Sequence, residues 1–148
     1  MASEKWKRLQ QSRNRDRFAV RIGTVVTVVF TPLLFFLPSI VAVPAWTQWM
    51  GGVLGGIVAG GLTSERGNGA ITGVKATGYG LLWTFALVVS TLIVYWMAIV
   101  GQVPPPIEQI FFVPLMPILG LFPAYLVSGI LFGWGAAQVR SLAVTSRR

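Results

Sequence analysis

Residues 46–62 read WTQWMGGVLGGIVAGGL, a run apolar enough to enter a bilayer that still carries Gly51, Gly52, Gly55, Gly56, Gly60 and Gly61. Along most of this run the chain offers bare backbone where a lipid-facing helix would offer leucine. Gly52, Gly56 and Gly60 recur every fourth residue and stack on one helix face, and Gly51, Gly55 and Ala59 widen that groove by one position. Stripes of this kind let neighbouring helices approach to backbone contact, so this segment is expected to be the packing centre of a helical membrane protein.

Composition supports that solvent. Of 148 residues, 54% are hydrophobic and only 11% charged, against about 25% charged in an ordinary soluble domain. The apolar content falls into four stretches, 22–43, 46–62, 76–100 and 110–139. They are flanked by a basic arm over 1–21 and a basic tail over 140–148. The expected fold is therefore all-α, an integral membrane four-helix bundle with glycine-rich helix packing.

The first stretch is 22 residues long, enough for the roughly 20 that cross a bilayer core and more than the roughly 7–15 of a cleavable signal. Pro32 and Pro38 should bend it. Thr24, Thr27 and Thr31 share a face, and packing with back-bonding to the preceding turn accounts for them better than a solute path. Pro44 and Ala45 leave room only for a tight antiparallel connection, and Trp46 and Trp49 then sit where aromatic side chains favour the interface.

Beyond the glycine helix, residues 63–69 (TSERGNG) form a turn-rich loop. It resembles a phosphate loop only superficially, because no Gly-Lys-Ser/Thr follows a strand. In the third stretch Gly73, Thr77, Gly80, Thr84 and Thr91 fall close to one face and are expected to lie against the glycine groove of the second helix. Trp83 is expected between helices, and Tyr95 and Trp96 near the far interface. Pro104, Pro105 and Pro106 stiffen the next loop. The last stretch has 30 residues, about 45 Å as one helix against a core of about 30 Å. Pro114, Pro117 and Pro123 with Gly120 predict a proline-broken start, with the crossing itself over about 121–139. Gly129, Gly133 and Ala137 give that crossing its own close-approach face.

Charge decides orientation. All 12 Lys and Arg fall in the N-terminal arm, around Arg66 and Lys75, or at Arg140, Arg147 and Arg148. Four spans with both termini on the cytoplasmic or equivalent inner side place every one of them inside. The arm contributes Lys5, Lys7, Arg8, Arg13, Arg15, Arg17 and Arg21, read as a weakly helical solvated segment. It acts first as a topology signal, secondly as a contact for anionic lipid headgroups, and thirdly as a contact for nucleic-acid phosphate.

Catalytic chemistry has little to work with. There is no Cys and no His, and the carboxylates are Glu4, Asp16, Glu65 and Glu108. No metal, cofactor, small-molecule substrate or enzymatic activity is expected. No ionisable residue falls near the membrane midplane, which argues against ion-coupled transport. The expected role is structural or scaffolding, alone, as a homo-oligomer or in a larger complex. The alternatives are a small channel lined by Thr24, Thr27, Thr84 and Thr91, or an accessory subunit of a membrane transport complex.

With its glycine helix, the Ser64-Glu65-Arg66-Gly67 turn and the glycine-rich entry to the third stretch, the chain resembles small four-span membrane proteins of haloarchaea. That group includes the internal membrane protein of haloarchaeal pleomorphic viruses. The resemblance covers the hydropathy pattern of the whole chain. It implies a structural protein lining the inner leaflet of an envelope, with its basic arm facing the interior, and implies no catalytic residues.

Overall fold

The computed structural model describes residues 2–41, 44–64, 66–100 and 106–146. Glu65, Pro104, Pro105, Arg147 and Arg148, singled out above, lie outside the described residues. The chain is helical throughout these segments: α1 (Ala2–Ile40), α2 (Met50–Leu62), α3 (Gly69–Tyr95) and α4 (Ile107–Thr145). Tight turns precede α2 (Ala45–Trp49) and α3 (Arg66–Asn68), and a wider π turn (Trp96–Val100) follows α3. Three helices, α1, α3 and α4, are long and apolar enough to cross a membrane. Each of α1 and α4 packs on both α2 and α3, and α2 also meets α3.

The elements depart from the expected boundaries in ways that have physical causes. The N-terminal arm is not weakly helical, because α1 runs unbroken from Ala2 through the arm into the apolar stretch. Extending a helix already held by packing costs little, and Glu, Lys, Arg, Gln and Leu are good helix formers. The run 46–62 does not begin as α-helix. Thr47 donates its N–H (3.0 Å) and its hydroxyl (2.8 Å) to the Pro44 carbonyl, closing a tighter turn. This leaves α2 with 13 residues. The third helix starts at Gly69 rather than near residue 76, and Thr72 bonds back to the Asn68 (3.0 Å) and Gly69 (3.1 Å) carbonyls in its first turn.

The expected break in the last helix does not occur either. α4 is continuous over 39 residues with Pro114, Pro117 and Pro123 inside it. Each proline removes a backbone donor, yet intramembrane helices tolerate this where neighbours and local adjustment satisfy the freed carbonyls. Phe85 of α3 and Phe111 of α4 meet in this region, with ring centroids 6.1 Å apart.

The interior consists mainly of small residues. Ala19, Thr27, Ala59, Ala76, Thr77, Leu81 and Tyr125 are fully buried, whereas Leu33, Leu82, Leu87, Met116, Leu119 and Leu131 are exposed. Close approach between helices depends on glycine at two junctions. At the first, a side chain added to Gly60 of α2 would run into the Gly133 carbonyl of α4, and one added to Gly73 of α3 would meet the Gly129 carbonyl of α4. Gly56 stands against the same turn, since a Cβ there would lie 3.2 Å from the Gly129 Cα. At the second, Gly55 and Gly80 both face Thr27 of α1, while Gly23 of α1 faces Ala59 and Ala76.

This arrangement differs from the expected α2–α3 pairing. The Gly52, Gly56 and Gly60 stripe lies on Ser128, Gly129 and Gly133 of α4, while the third-helix stripe divides between α4 (Gly73) and α1 (Gly80). Each small face of α2 has its own partner, because Gly51 and Gly55, one position round the helix, reach Thr31 and Thr27 of α1.

Two neighbouring glycines provide a matched test. Gly60→Ala should destabilise the fold by roughly 1–3 kcal/mol, the cost of overpacking a filled contact, and Gly56→Leu should prevent assembly. Gly61→Ala, which meets nothing within 4 Å, should leave the melting temperature unchanged or slightly raised. Equal melting of the Gly60 and Gly61 variants in mild detergent would refute the close-contact assignment.

Candidate functional site

The basic end of the molecule is built where the α2–α3 turn meets α1 and α4. A helix leaves its last carbonyls without internal partners, and the final three of α2 are met. The Gly60 carbonyl accepts from the Thr63 N–H (3.4 Å), Gly61 from Arg140 Nη1 (3.2 Å), and Leu62 from Arg15 Nε (3.2 Å). Arg140 Nη1 also donates to the Thr63 carbonyl. Two cations therefore sit at the negative end of the α2 dipole, where positive charge is favoured.

Asp16 holds the turn from the other side. Its Oδ1 accepts from the Thr63 hydroxyl (2.9 Å) and from the N–H and hydroxyl of Ser64 (both 2.8 Å), and its Oδ2 accepts from Asn68 Nδ2 (2.9 Å). Ser12, one turn earlier on α1, shares a 2.8 Å hydrogen bond with the Ser64 hydroxyl. Asn68 is the residue from which α3 departs; its side chain makes no cap to that helix, and its Nδ2 donates to Asp16. Asp16 precedes the apolar run that begins at Ile22 and lies level with the turn. Burial pushes its pKa upward, but the bonds from Ser64, Thr63 and Asn68 to the charged form outweigh that and hold the carboxyl below the ordinary aspartate value.

The opposite end has a smaller counterpart. The buried Tyr125 of α4 hydrogen-bonds to Thr31 Oγ1 of α1 (3.1 Å) and to the Gln48 carbonyl (3.0 Å) in the turn before α2. One side chain thus ties three elements together.

The seven basic residues of the arm, Lys5, Lys7, Arg8, Arg13, Arg15, Arg17 and Arg21, are all exposed on α1. Arg13, Arg17 and Arg21 share a face at four-residue steps, and Arg15 turns instead to the Leu62 carbonyl. Of the glycines assigned to helix packing, Gly56, Gly60, Gly73, Gly129 and Gly133 gather at the α2–α3–α4 junction. Gly52 faces Tyr125 and Ser128, and Gly80 faces α1.

The hydroxyls considered for a pore are otherwise engaged. Thr27 and Thr84 are buried and donate to the Gly23 (3.0 Å) and Gly80 (2.8 Å) carbonyls, Thr24 donates to the Ala76 carbonyl (3.3 Å), and Thr91 is exposed and bonds its own helix. Trp83 does not pack between helices; it is 62% exposed. Among the described residues, no group of three or more acidic side chains comes together where it could hold a metal ion.

Sequence reading missed the roles of Asp16, Arg140 and Tyr125. The available signals were an acid set among Arg13, Arg15 and Arg17, and one tyrosine within an apolar helix. Their partners are 47 or more residues away in sequence for Asp16 and 77 or more for Arg140 and Tyr125 at the α2 ends, and no local spacing records that. Comparison with known protein families, with characterised proteins and with solved structures finds no match.

The Asp16 cluster has a pH signature. A carboxyl with a lowered folded-state pKa stabilises the native state above its unfolded value of about 3.9, and that contribution is lost as pH falls through the folded value. Stability should therefore decline below about pH 4. Asp16→Asn should cost roughly 1–3 kcal/mol at neutral pH, as for a hydrogen-bonded charged group, and should flatten the acid limb. A variant with an unchanged acid limb would show that Asp16 is not the titrating group.

Proposed function

We propose that this chain is a non-enzymatic structural or scaffolding membrane protein. In this reading it is a four-helix transmembrane bundle that presents a basic inner surface to anionic lipid headgroups or nucleic-acid phosphate. One observation carries the proposal, the inverted distribution of side-chain size. Most Leu, Ile, Phe and Met side chains are exposed or half-buried, with Leu81 and Ile110 the buried exceptions, around an interior built mainly of Gly, Ala, Thr and Ser. In water so large an apolar surface would drive aggregation, whereas in lipid it is solvated and helix association depends on close small-residue packing.

α2 is the short member. Together with the preceding turn it measures about 30 Å, taking about 2.0 Å per residue in the turn and about 1.5 Å in the helix, which matches a hydrocarbon core of about 30 Å. A fourth crossing puts both termini on the inner side with every Lys and Arg. The resemblance to haloarchaeal small membrane proteins fits a component that lines the inner leaflet of an envelope. The engaged hydroxyls and glycine-filled junctions favour this reading over a channel.

The chain has no cysteine, so each introduced thiol is a unique reporter of sidedness. Lys5→Cys and Leu142→Cys should react with an impermeant maleimide from the inner side only, and Glu108→Cys from the outer side only. Labelling of positions 5 and 142 from opposite sides would mean three crossings and would reject the four-span bundle. Function is tested by copy number in the native membrane with cross-linking in place. High abundance with self-contacts and inner-surface contacts is expected. Low abundance with one stoichiometric partner, or solute flux in protein-containing liposomes, would overturn the structural role.

A further inference from the structure

We propose that the groove between the inner ends of α1 and α3 binds one anionic phospholipid. The proposal rests on the membrane reading above and adds which residues hold the lipid. The two helices run parallel: Asp16 meets Asn68, Thr24 meets Ala76 and Thr27 meets Gly80, so numbering rises together on both. A lipid lying along the groove therefore meets the same order of chemistry on either wall.

On both walls the cationic residues precede the apolar and aromatic ones, with Ile71 standing ahead of Lys75 on α3. On α1, Arg13, Arg17, Arg21 and Val25 follow at four-residue steps, and all are exposed. On α3 the facing stripe is Ile71, Lys75, Tyr79 and Trp83, also exposed and also at four-residue steps. The floor is closed where the Thr24 hydroxyl donates to the Ala76 carbonyl. The groove encloses about 1310 Å³, above the roughly 300–1,000 Å³ of a small-molecule pocket. A charged headgroup with the upper part of an acyl chain suits such an elongated, two-natured space. Tyr79 and Trp83 have the amphipathic character that places aromatic rings beside lipid at headgroup level and below.

Charge complementarity fixes the sign of the occupant. Among the described residues, none of Arg13, Arg17, Arg21 or Lys75 makes a hydrogen bond or ion pair. Asp16 is the carboxylate on the groove wall, and its two oxygens are already engaged by Thr63, Ser64 and Asn68. The positive stripe is left for an external anion. A phosphodiester beside Arg21 and Lys75 would receive charge-assisted hydrogen bonds from both walls.

The test uses the full chain in phosphatidylcholine vesicles with a minor fraction of phosphatidylglycerol, one lipid or the other carrying brominated acyl chains that quench tryptophan. Brominated phosphatidylglycerol should quench more than brominated phosphatidylcholine at equal mole fraction, and Trp83→Phe should remove the excess. Arg21→Gln with Lys75→Gln should weaken the preference about fivefold per cation removed. Lys5→Gln with Arg8→Gln, an equal charge loss outside the groove, should retain most of it. Equal quenching by the two lipids, or equal loss in both double variants, overturns the groove while leaving the membrane reading intact. Relief of quenching by inorganic phosphate or by a short oligonucleotide reassigns the site to a free anion or to nucleic acid and also overturns it. Extraction of the unaltered protein by alkaline carbonate rejects the membrane reading and the groove together.

Discussion

The near-contact of α4 with α2 and α3 at Gly129 and Gly133 sets the geometry of the rest. Three backbones meet there, with Gly56 and Gly60 on one side of α4 and Gly69 and Gly73 on the other. Inside a bilayer, separating two helices exposes them to hydrocarbon rather than water, so little hydrophobic driving force holds them together. What remains is dispersion between closely fitted surfaces, which weakens steeply with a gap of half an ångström to one ångström. Glycine at these positions allows the helices close enough for that force to act.

The second junction follows from the first. With its Gly52, Gly56 and Gly60 face committed to α4, α2 turns Gly51, Gly55 and Ala59 to α1, where Thr31, Thr27 and Gly23 receive them. Thr27 is at once the neighbour of Gly55 and of Gly80 and a donor to the Gly23 carbonyl. A hydroxyl bonded to its own helix can be buried among small residues without an unsatisfied group. Among the described residues, no buried side-chain nitrogen or oxygen lacks a partner. This is the condition that a dry interior imposes.

Much of this organisation was legible in the sequence, and the illegible parts share a cause. The helical class, the three long apolar helices and the small faces of the second, third and fourth stretches follow from local periodicity. Which face meets which neighbour does not. Gly56 carries no record of whether Gly73 or Gly129 lies opposite, because glycine stripes are chemically identical surfaces. Proline misled for a related reason. Pro114, Pro117 and Pro123 would end a helix in water, but within a bilayer the alternative is an unpaired backbone in hydrocarbon, so the helix persists. The arm was underestimated because, besides its good helix formers, it is continuous with a packed helix and is held by Ser12, Arg15 and Asp16 to a turn about fifty residues away.

The polar clamps at the two ends solve a problem that the glycine stripes create. A face repeating every fourth residue, such as Gly52, Gly56 and Gly60 against Ser128, Gly129 and Gly133, fits nearly as well after a slide of one helical turn, about 5.4 Å. Dispersion alone would leave several registers close in energy. A slide of that size would take Asp16 away from Ser64 and Asn68, would strip Arg140 from the end of α2, and would pull Tyr125 off Gln48 at the far end. Each loss leaves a polar group without its partner, and such groups cost far more at the edge of a bilayer than a shifted van der Waals contact. The small residues set how near the helices lie, and the charged and hydroxyl groups at the ends select the register. The same end groups account for the basic surface, since Asp16, bound to the turn, is not available to neutralise Arg13, Arg17 and Arg21 on its own helix.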